Sequence, residues 1–292
     1  MHKVPFQKFH GFGNDYIVVT AGDLAGVSDI GAFTRALCDR NAGAGSDGIA
    51  ILESLEGSDA DYSCRIINSD GSEAGFSGNG TRCAVAFLYR EGIWDKPSLR
   101  LKTKSGVKKY ELLEAAGDLY WYLAELGKPL FEAADIPFLG SDAAGDVEFE
   151  DGQVVFEDQA FETCILNVGN PVCAVFVDDF DFEWRLLGVE LENHQCFPER
   201  TNVVFVKVLN ESAVEIRIWE RGAGETLSSG TCSIAAAVAS AHTARTRREV
   251  DVHAEGGTTR AVWRDDGEML ITGSAQYIYS GEWPVGEFDD AK

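Results

Sequence analysis

Apolar and polar residues alternate over short stretches along most of this chain. Tyr62, Cys64 and Ile66 share one side of segment 61–66. Leu119, Trp121 and Leu123 share one side of another segment, and Val214, Ile216 and Ile218 one side of a third. A period of two residues is that of a β-strand. Clusters such as Asn68-Ser69-Asp70-Gly71 break the runs into turns. The pattern predicts about a dozen strands. Helical spacing is rarer. Ser28 or Asp29 can cap a segment in which Ile30, Phe33 and Leu37 line one face. Segment 181–193 carries Trp184, Leu187 and Leu191 at helical spacing, with Gly188 as a weak point inside it. Segments 83–89 and 234–238 are apolar nearly all round, which predicts helices buried inside their domains. A few helices mixed irregularly among many strands argue for an α+β fold rather than a regular βαβ alternation.

The length, 292 residues, suggests two domains. Segment 131–145, rich in Ala, Gly and Pro, is the nearest thing to a linker. The expected division is an N-terminal lobe of 1–127, with a C-terminal strand at 277–292 returning to it, and a second lobe of 128–276. The halves echo each other. Gly71-Ser72-Glu73-Ala74-Gly75-Phe76-Ser77-Gly78-Asn79-Gly80 precedes one buried helix, and Gly222-Ala223-Gly224-Glu225-Thr226-Leu227-Ser228-Ser229-Gly230-Thr231 precedes the other. Each has an acidic residue, a Ser-Gly pair and a small polar residue before the helix, which suggests an internal duplication.

Lys and Arg number 25 against 48 Asp and Glu, a net charge of −23. A field of that sign repels phosphate backbones and anionic membrane surfaces, so neither nucleic acid nor membrane is an expected partner. No run of apolar residues is long enough for a membrane-spanning helix, and the first residues lack a signal-peptide pattern. The seven cysteines are scattered, odd in number and without a CxxC pair. That argues against a zinc site and a disulfide framework, and for free thiols in a reducing cytoplasm.

Glycine-rich segments entering helices leave backbone N–H groups unpaired at the positive end of the helix dipole, where an anion binds. One such loop alone reads as a serine-capped turn. Two in matching positions point to a shared role: gripping a carboxylate from opposite sides of a cleft, with Ser77 and Ser229 aimed at the bound molecule. Gly43-Ala44-Gly45-Ser46-Asp47-Gly48 spells GxGxxG, but a polar stretch precedes it and a strand-like run follows it. That is the wrong frame for a dinucleotide. Arg200 and Arg221 each follow a Glu and could fork onto a carboxylate or pair with a surface acid. Asn14, Asn68, Asn170 and Asn202, taken singly, read as turn residues. His10 and His194 have no assignable partner.

Several strings together resemble one family. They are Phe6-Gln7-Lys8-Phe9-His10-Gly11-Phe12-Gly13-Asn14-Asp15, Asp39-Arg40-Asn41 through Gly48, and Arg65 through Glu73. Further ones are Ser77-Gly78-Asn79-Gly80-Thr81-Arg82-Cys83, Gly169-Asn170-Pro171, Phe197-Pro198-Glu199-Arg200-Thr201-Asn202, Glu220-Arg221-Gly222-Ala223-Gly224-Glu225-Thr226 and Thr272-Gly273-Ser274-Ala275 to Gly281-Glu282. In this order over nearly the whole length, they resemble the diaminopimelate epimerases. The resemblance implies two similar lobes, each a sheet wrapped around a central helix, with the active site in the cleft between them. It implies an isomerase without cofactor or metal that inverts the α-carbon of an amino acid, converting LL- to meso-diaminopimelate on the way to lysine, and a homodimer in the cytoplasm. In that chemistry one thiolate removes the α-proton and the opposite thiol delivers one to the other face. Carried over by position, Asn14, Asn68, Asn170, Asn202, Glu220 and Arg221 would hold the substrate's polar groups. Gly78 with Asn79, and Gly230 with Thr231, would supply backbone donors to the α-carboxylate.

The chain departs from the family at the chemistry itself. The positions of the catalytic cysteines are Ser77 and Ser229, that of a histidine assisting the base is Val172, and that of a frequent glutamine is Gly48. Cys83 and Cys232 are out of register to substitute. The accompanying changes at Val172, Cys232 and Ser228 favour natural divergence over a laboratory replacement of two cysteines. A hydroxyl is harder to ionise than a thiol and needs an adjacent general base. With Val172 in the histidine's place, none is apparent. Ordinary epimerisation is therefore expected to be very slow or absent. Two alternatives stand beside it: an altered isomerase using a carboxylate base, with Glu73 and Glu225 nearest the loops in sequence, and an amino-acid-binding relative without turnover.

Overall fold

The computed structural model describes residues 3–139, 148–150, 152–157 and 159–285. The chain divides into two compact units, Met1–Ala124 with Gly273–Lys292, and Glu125–Thr272.

The first unit begins with a hairpin of β1 (Lys3–Gly11) and β2 (Asn14–Thr20). Its two-residue turn holds Phe12 and Gly13 at φ 54° and 87°, the primed turn geometry that matches strand twist. The turn delivers Asn14 to the first position of β2. Helix α1 (Ile30–Cys38) crosses over to β3 (Gly48–Ser54), parallel to β2, and β4 (Tyr62–Asn68) returns antiparallel. A two-residue strand, β5 (Glu73–Ala74), folds back on the end of β4. Helix α2 (Gly78–Arg90) then crosses to β6 (Ser98–Thr103), parallel to β4, followed by β7 (Gly106–Ala116) and β8 (Leu119–Glu125).

The second unit repeats this plan. After β9 (Glu148–Glu150) and β10 (Gln153–Phe156), the hairpin of β11 (Gln159–Asn167) and β12 (Pro171–Phe176) stands where β1 and β2 stood. Helix α3 (Trp184–Glu192) crosses to β13 (Asn202–Asn210), parallel to β12, and β14 (Ala213–Glu220) returns antiparallel. Short β15 (Gly224–Thr226) folds back on the end of β14. Helix α4 (Gly230–His242) crosses to β16 (Glu249–Ala254), parallel to β14, followed by β17 (Gly257–Trp263). The last strand, β18 (Met269–Pro284), pairs with β17 at its start and with β1 along its later part. The duplication suggested by two loops thus extends, pairing by pairing, through both units.

Local sequence accounts for the elements that position the loops. Asp29 caps α1 by accepting from the Ala32 N–H at 2.9 Å. Residues 78–88 of α2 and 230–240 of α4 are all buried, as their apolar character predicts. The first unit packs Phe33 and Leu37 of α1 against Ile17, Val19, Ile49 and Ile67, and the second packs Trp184, Leu187 and Leu191 of α3 against Val203 and Phe205.

Several expectations are corrected. The chain has 18 strands among the described residues rather than a dozen, because pieces as short as β5 and β15 show no alternation. On β8 the buried face is Tyr120, Tyr122 and Ala124, and the side bearing Leu119, Trp121 and Leu123 is half-buried. Helix α3 begins at Trp184, three residues later than the helical spacing suggested. Gly188 inside it is required: a Cβ there would lie 2.9 Å from Cγ of Trp219. Of the linker-like segment, residues 131–139 carry a short helical turn at Ala133–Asp135 and residues 140–145 lie outside the described residues, as do 286–292 of the expected C-terminal strand.

Candidate active site

Helix α2 starts at Ser77, whose backbone is extended (φ −136°, ψ 120°). Its Oγ accepts from the Gly80 N–H at 3.1 Å, and its carbonyl accepts from the Thr81 N–H at 2.9 Å and the Thr81 hydroxyl at 2.6 Å. The capping leaves the N–H groups of buried Gly78 and Asn79 without an acceptor among the described residues. No acidic residue occupies the first turn to quench them. No carboxylate contacts the Ser77 hydroxyl among the described residues.

Helix α4 starts the same way. Ser229 is extended (φ −144°, ψ 122°) and its Oγ accepts from the Cys232 N–H at 3.3 Å. Gly230 and Thr231 likewise keep unpaired N–H groups among the described residues. Here the serine has a carboxylate: its hydroxyl donates to Oε2 of Glu220 at 2.9 Å, while Oε1 accepts from the Thr226 hydroxyl at 2.8 Å. Glu220 ends β14, Thr226 ends β15, and the tight β14–β15 turn brings them together beneath the loop.

The remaining expected binding residues fall into two groups. In the first unit, Asn79 donates to Oδ1 of Asn14 at 3.1 Å, and Asn14 donates to Asp47 at 2.6 Å. Arg40 bridges Asp47 (2.7 Å) and Asp15 (2.8 Å), and Lys8 reaches Asp15 at 2.7 Å. Burial opposes ionisation of Asp15, yet the hydrogen bonds from Arg40 and Lys8 hold its carboxyl below the usual range; burial with the neighbouring Asp15 charge pushes Asp47 above it. This lattice fixes the Asn14 amide while leaving it one N–H and one lone pair for a ligand. Asn68 ends β4 and donates to the Ser72 hydroxyl at 3.1 Å. In the second unit, Asn202 accepts from the Arg221 N–H at 3.0 Å and donates to the Pro171 carbonyl at 3.1 Å. Arg221 donates to the Glu199 carbonyl at 2.9 Å, and burial together with the Arg200 charge depresses its pKa. The half-buried Asn170 amide makes no hydrogen bond among the described residues.

Other candidates are used elsewhere. Glu73 and Glu225 do not hydrogen-bond the serines among the described residues: each forms a two-pronged ion pair, with Arg65 at 3.0 Å and with Arg185 at 2.7 Å, that lowers its pKa. Arg200 pairs with Glu192 at 3.0 Å. His10 and His194 accept from the Gly13 and Cys196 N–H groups. Gly48 has no room for a side chain, since a Cβ would lie 2.6 Å from the Ile67 carbonyl oxygen. Val172 is fully buried beside Asn202. All seven cysteines are buried, and none of them is in a disulfide. Burial pushes the Cys83 thiol up to about 12 and Cys232 well above its usual value, so neither supplies a thiolate. Among the described residues no three His, Cys, Asp or Glu side chains are placed to hold a metal ion, and no helix is long and apolar enough to cross a membrane.

Two features escaped the sequence. One is the Ser229–Glu220 contact itself. The other is Glu192, a buried carboxylate that accepts from the Gly222 N–H and the Trp219 indole, each at 2.8 Å, and so clamps the turn carrying Glu220 and Arg221. Nothing in the local sequence marks Glu192, which the α3 crossover delivers.

The family model described as diaminopimelate epimerase matches residues 6–129 and 164–278. The chain belongs to the diaminopimelate epimerase family. It is 39% identical to the diaminopimelate epimerase of Desulforudis audaxviator, over 95% of this chain and 98% of that one. It is 35% identical to the enzyme of that name from Methanocaldococcus jannaschii, over 95% and 97%. These relatives are isomerases. Among solved structures, a hydroxyproline epimerase from Agrobacterium vitis aligns with a TM-score of 0.68 at 15% identity, covering 99% of this chain and 93% of that one. A phenazine biosynthesis protein from Bacillus anthracis aligns with a TM-score of 0.64 at 16% identity, over 98% and 100%. At such identities these two speak for the fold alone, an epimerase-type α+β architecture.

Proposed function

We propose that this family member binds diaminopimelate, or an amino acid of that class, and moves its α-proton through a hydroxyl–carboxylate pair rather than a thiolate. The observation that carries the reading is the 2.9 Å hydrogen bond from Ser229 to Glu220 at a helix end with unpaired N–H groups. The Ser229 hydroxyl proton passes to Glu220 Oε2 as Oγ takes the proton from Cα, and the reverse transfer returns it. The unpaired N–H groups of Gly78 with Asn79, and of Gly230 with Thr231, suit the α-carboxylate and the charge that grows on it. Ser77 is assigned to the other proton by resemblance, in a loop without a base of its own. Turnover is therefore expected to be far below that of a thiol pair.

Proton NMR in deuterated buffer, with LL- and meso-diaminopimelate and a panel of other amino acids, tests the reading. Loss of the α-proton signal that disappears in Ser229→Ala and Glu220→Gln supports it. Binding by calorimetry with no exchange for any amino acid would instead establish a binder without turnover, the reading that the base-free Ser77 favours.

A further inference from the structure

The start of α2 holds a cation that no carboxylate neutralises among the described residues. Arg82 follows Ser77 by five positions and is 1% exposed. It donates through Nη2 to Oδ1 of Asn79, and its Cζ stands 5.9 Å from the centre of the Phe12 ring. Its Nε has no acceptor, and no carboxylate pairs with it among the described residues. The site is built for it: a Cβ at Gly273 would lie 2.6 Å from Cζ, so only glycine leaves room for the guanidinium.

An unpaired buried charge is costly. This one also adds to the positive end of the helix dipole instead of opposing it. Burial depresses its pKa, but a guanidinium starts too high to lose its proton near neutrality. Both costs fall if an anion sits at the same helix end, where Gly78 and Asn79 present their N–H groups. The second unit has no such cation: the residue five positions after Ser229 is Ile234, fully buried.

We infer that Arg82 is the buried counter-charge for a carboxylate held at the start of α2, selecting an anion over an uncharged group there and orienting Asn79 toward it. The inference rests on the reading that this loop takes the carboxylate of an amino acid. Arg82 acts through Asn79 and its field, as a positioning residue.

Calorimetric titration with meso-diaminopimelate and with its diamide, in which neutral amides replace both carboxylates and both ammonium groups remain, tests the role. Arg82→Gln keeps a donor for Asn79 and removes the charge; Arg82→Lys keeps the charge; Arg82→Met keeps the buried stem and repeats the neutral test if the amide does not fold. The neutral variants are expected to bind diaminopimelate roughly 10- to 100-fold more weakly, with the diamide unchanged, while Lys retains most of the preference. Without ligand, the melting temperature of Arg82→Met should hold or rise, because an uncompensated charge has gone. Equal loss for both ligands, or none for either, overturns the assignment to Arg82 alone. No binding of diaminopimelate by the unaltered protein overturns the underlying reading of the loop as well.

Discussion

Helices α2 and α4 are each 13 residues long, each capped by an extended serine, and each entered from a short strand folded on the end of the strand before it. Their backbones are near copies and their electrostatics are opposite. Asn68 ends β4 where Glu220 ends β14, so one serine meets a carboxylate and the other does not. Arg82 lies buried behind one cap and Ile234 behind the other. Tyr16 pairs across to Gly48 in the first unit where Val172 pairs across to Asn202 in the second. A duplicated fold thus keeps its hydrogen-bond scaffold while single side chains at equivalent positions differ, and under the proposed function they divide the work: one loop to receive a proton, the other to hold negative charge.

The largest test of that division restores sulfur. Ser77→Cys with Ser229→Cys should raise α-proton exchange by roughly 100- to 10,000-fold, read as deuterium incorporation by NMR. An unchanged rate would show that the serines are not where protons move. Next, Glu220→Gln should lower the residual exchange of the unaltered protein by about 100-fold, with Glu73→Gln and Glu225→Gln leaving it intact. Because Ser229 alone of the two serines hydrogen-bonds a carboxylate among the described residues, deuterium should also enter the α position faster than the configuration inverts; equal rates would mean the loops are functionally alike. Removing the caps comes third. Ser77→Ala and Ser229→Ala should each cost about 1 kcal/mol in denaturant unfolding, since both satisfy one helix N–H. The smallest effect is common to both units. The ion pairs with Arg65 and Arg185 hold Glu73 and Glu225 below their ordinary 4.5, so the native state binds fewer protons than the unfolded chain. That contribution is present above about pH 4.5 and lost as the pH falls further. A melting-temperature profile over pH 3–7, flattened alike by either Glu→Gln change, would check it.

Most of what could be read from the chain beforehand was what local order dictates. The buried helices announced themselves through apolar residues on every side, α1 through its cap and spacing, and the loops through glycine and serine before a helix. Position by position, the resemblance named Asn14, Asn79, Asn202 and Glu220 as binding residues, and among them the structure ties Asn14 to Asn79 at the start of α2 and Glu220 to Ser229 at the start of α4. It could not show that Glu220 faces Ser229, because that contact depends on a hairpin whose second strand has three residues and no alternation. Arg82 was invisible as a buried cation because a charged side chain reads as exposed unless the fold encloses it. The inverted face of β8 has a similar cause: tyrosines 120 and 122 point inward, a choice that alternation alone leaves open.

Strand β18 carries a further consequence. Its later part is paired along β1, yet it is synthesised after the whole of the second unit. The first unit therefore stays unfinished at the ribosome, with β1 paired to β2 alone, until the later part of β18 has emerged, although the middle of the chain can already have folded. Excising residues 1–124 yields an incomplete body, whereas a permuted gene that joins the tail to the head gives that unit as one contiguous piece.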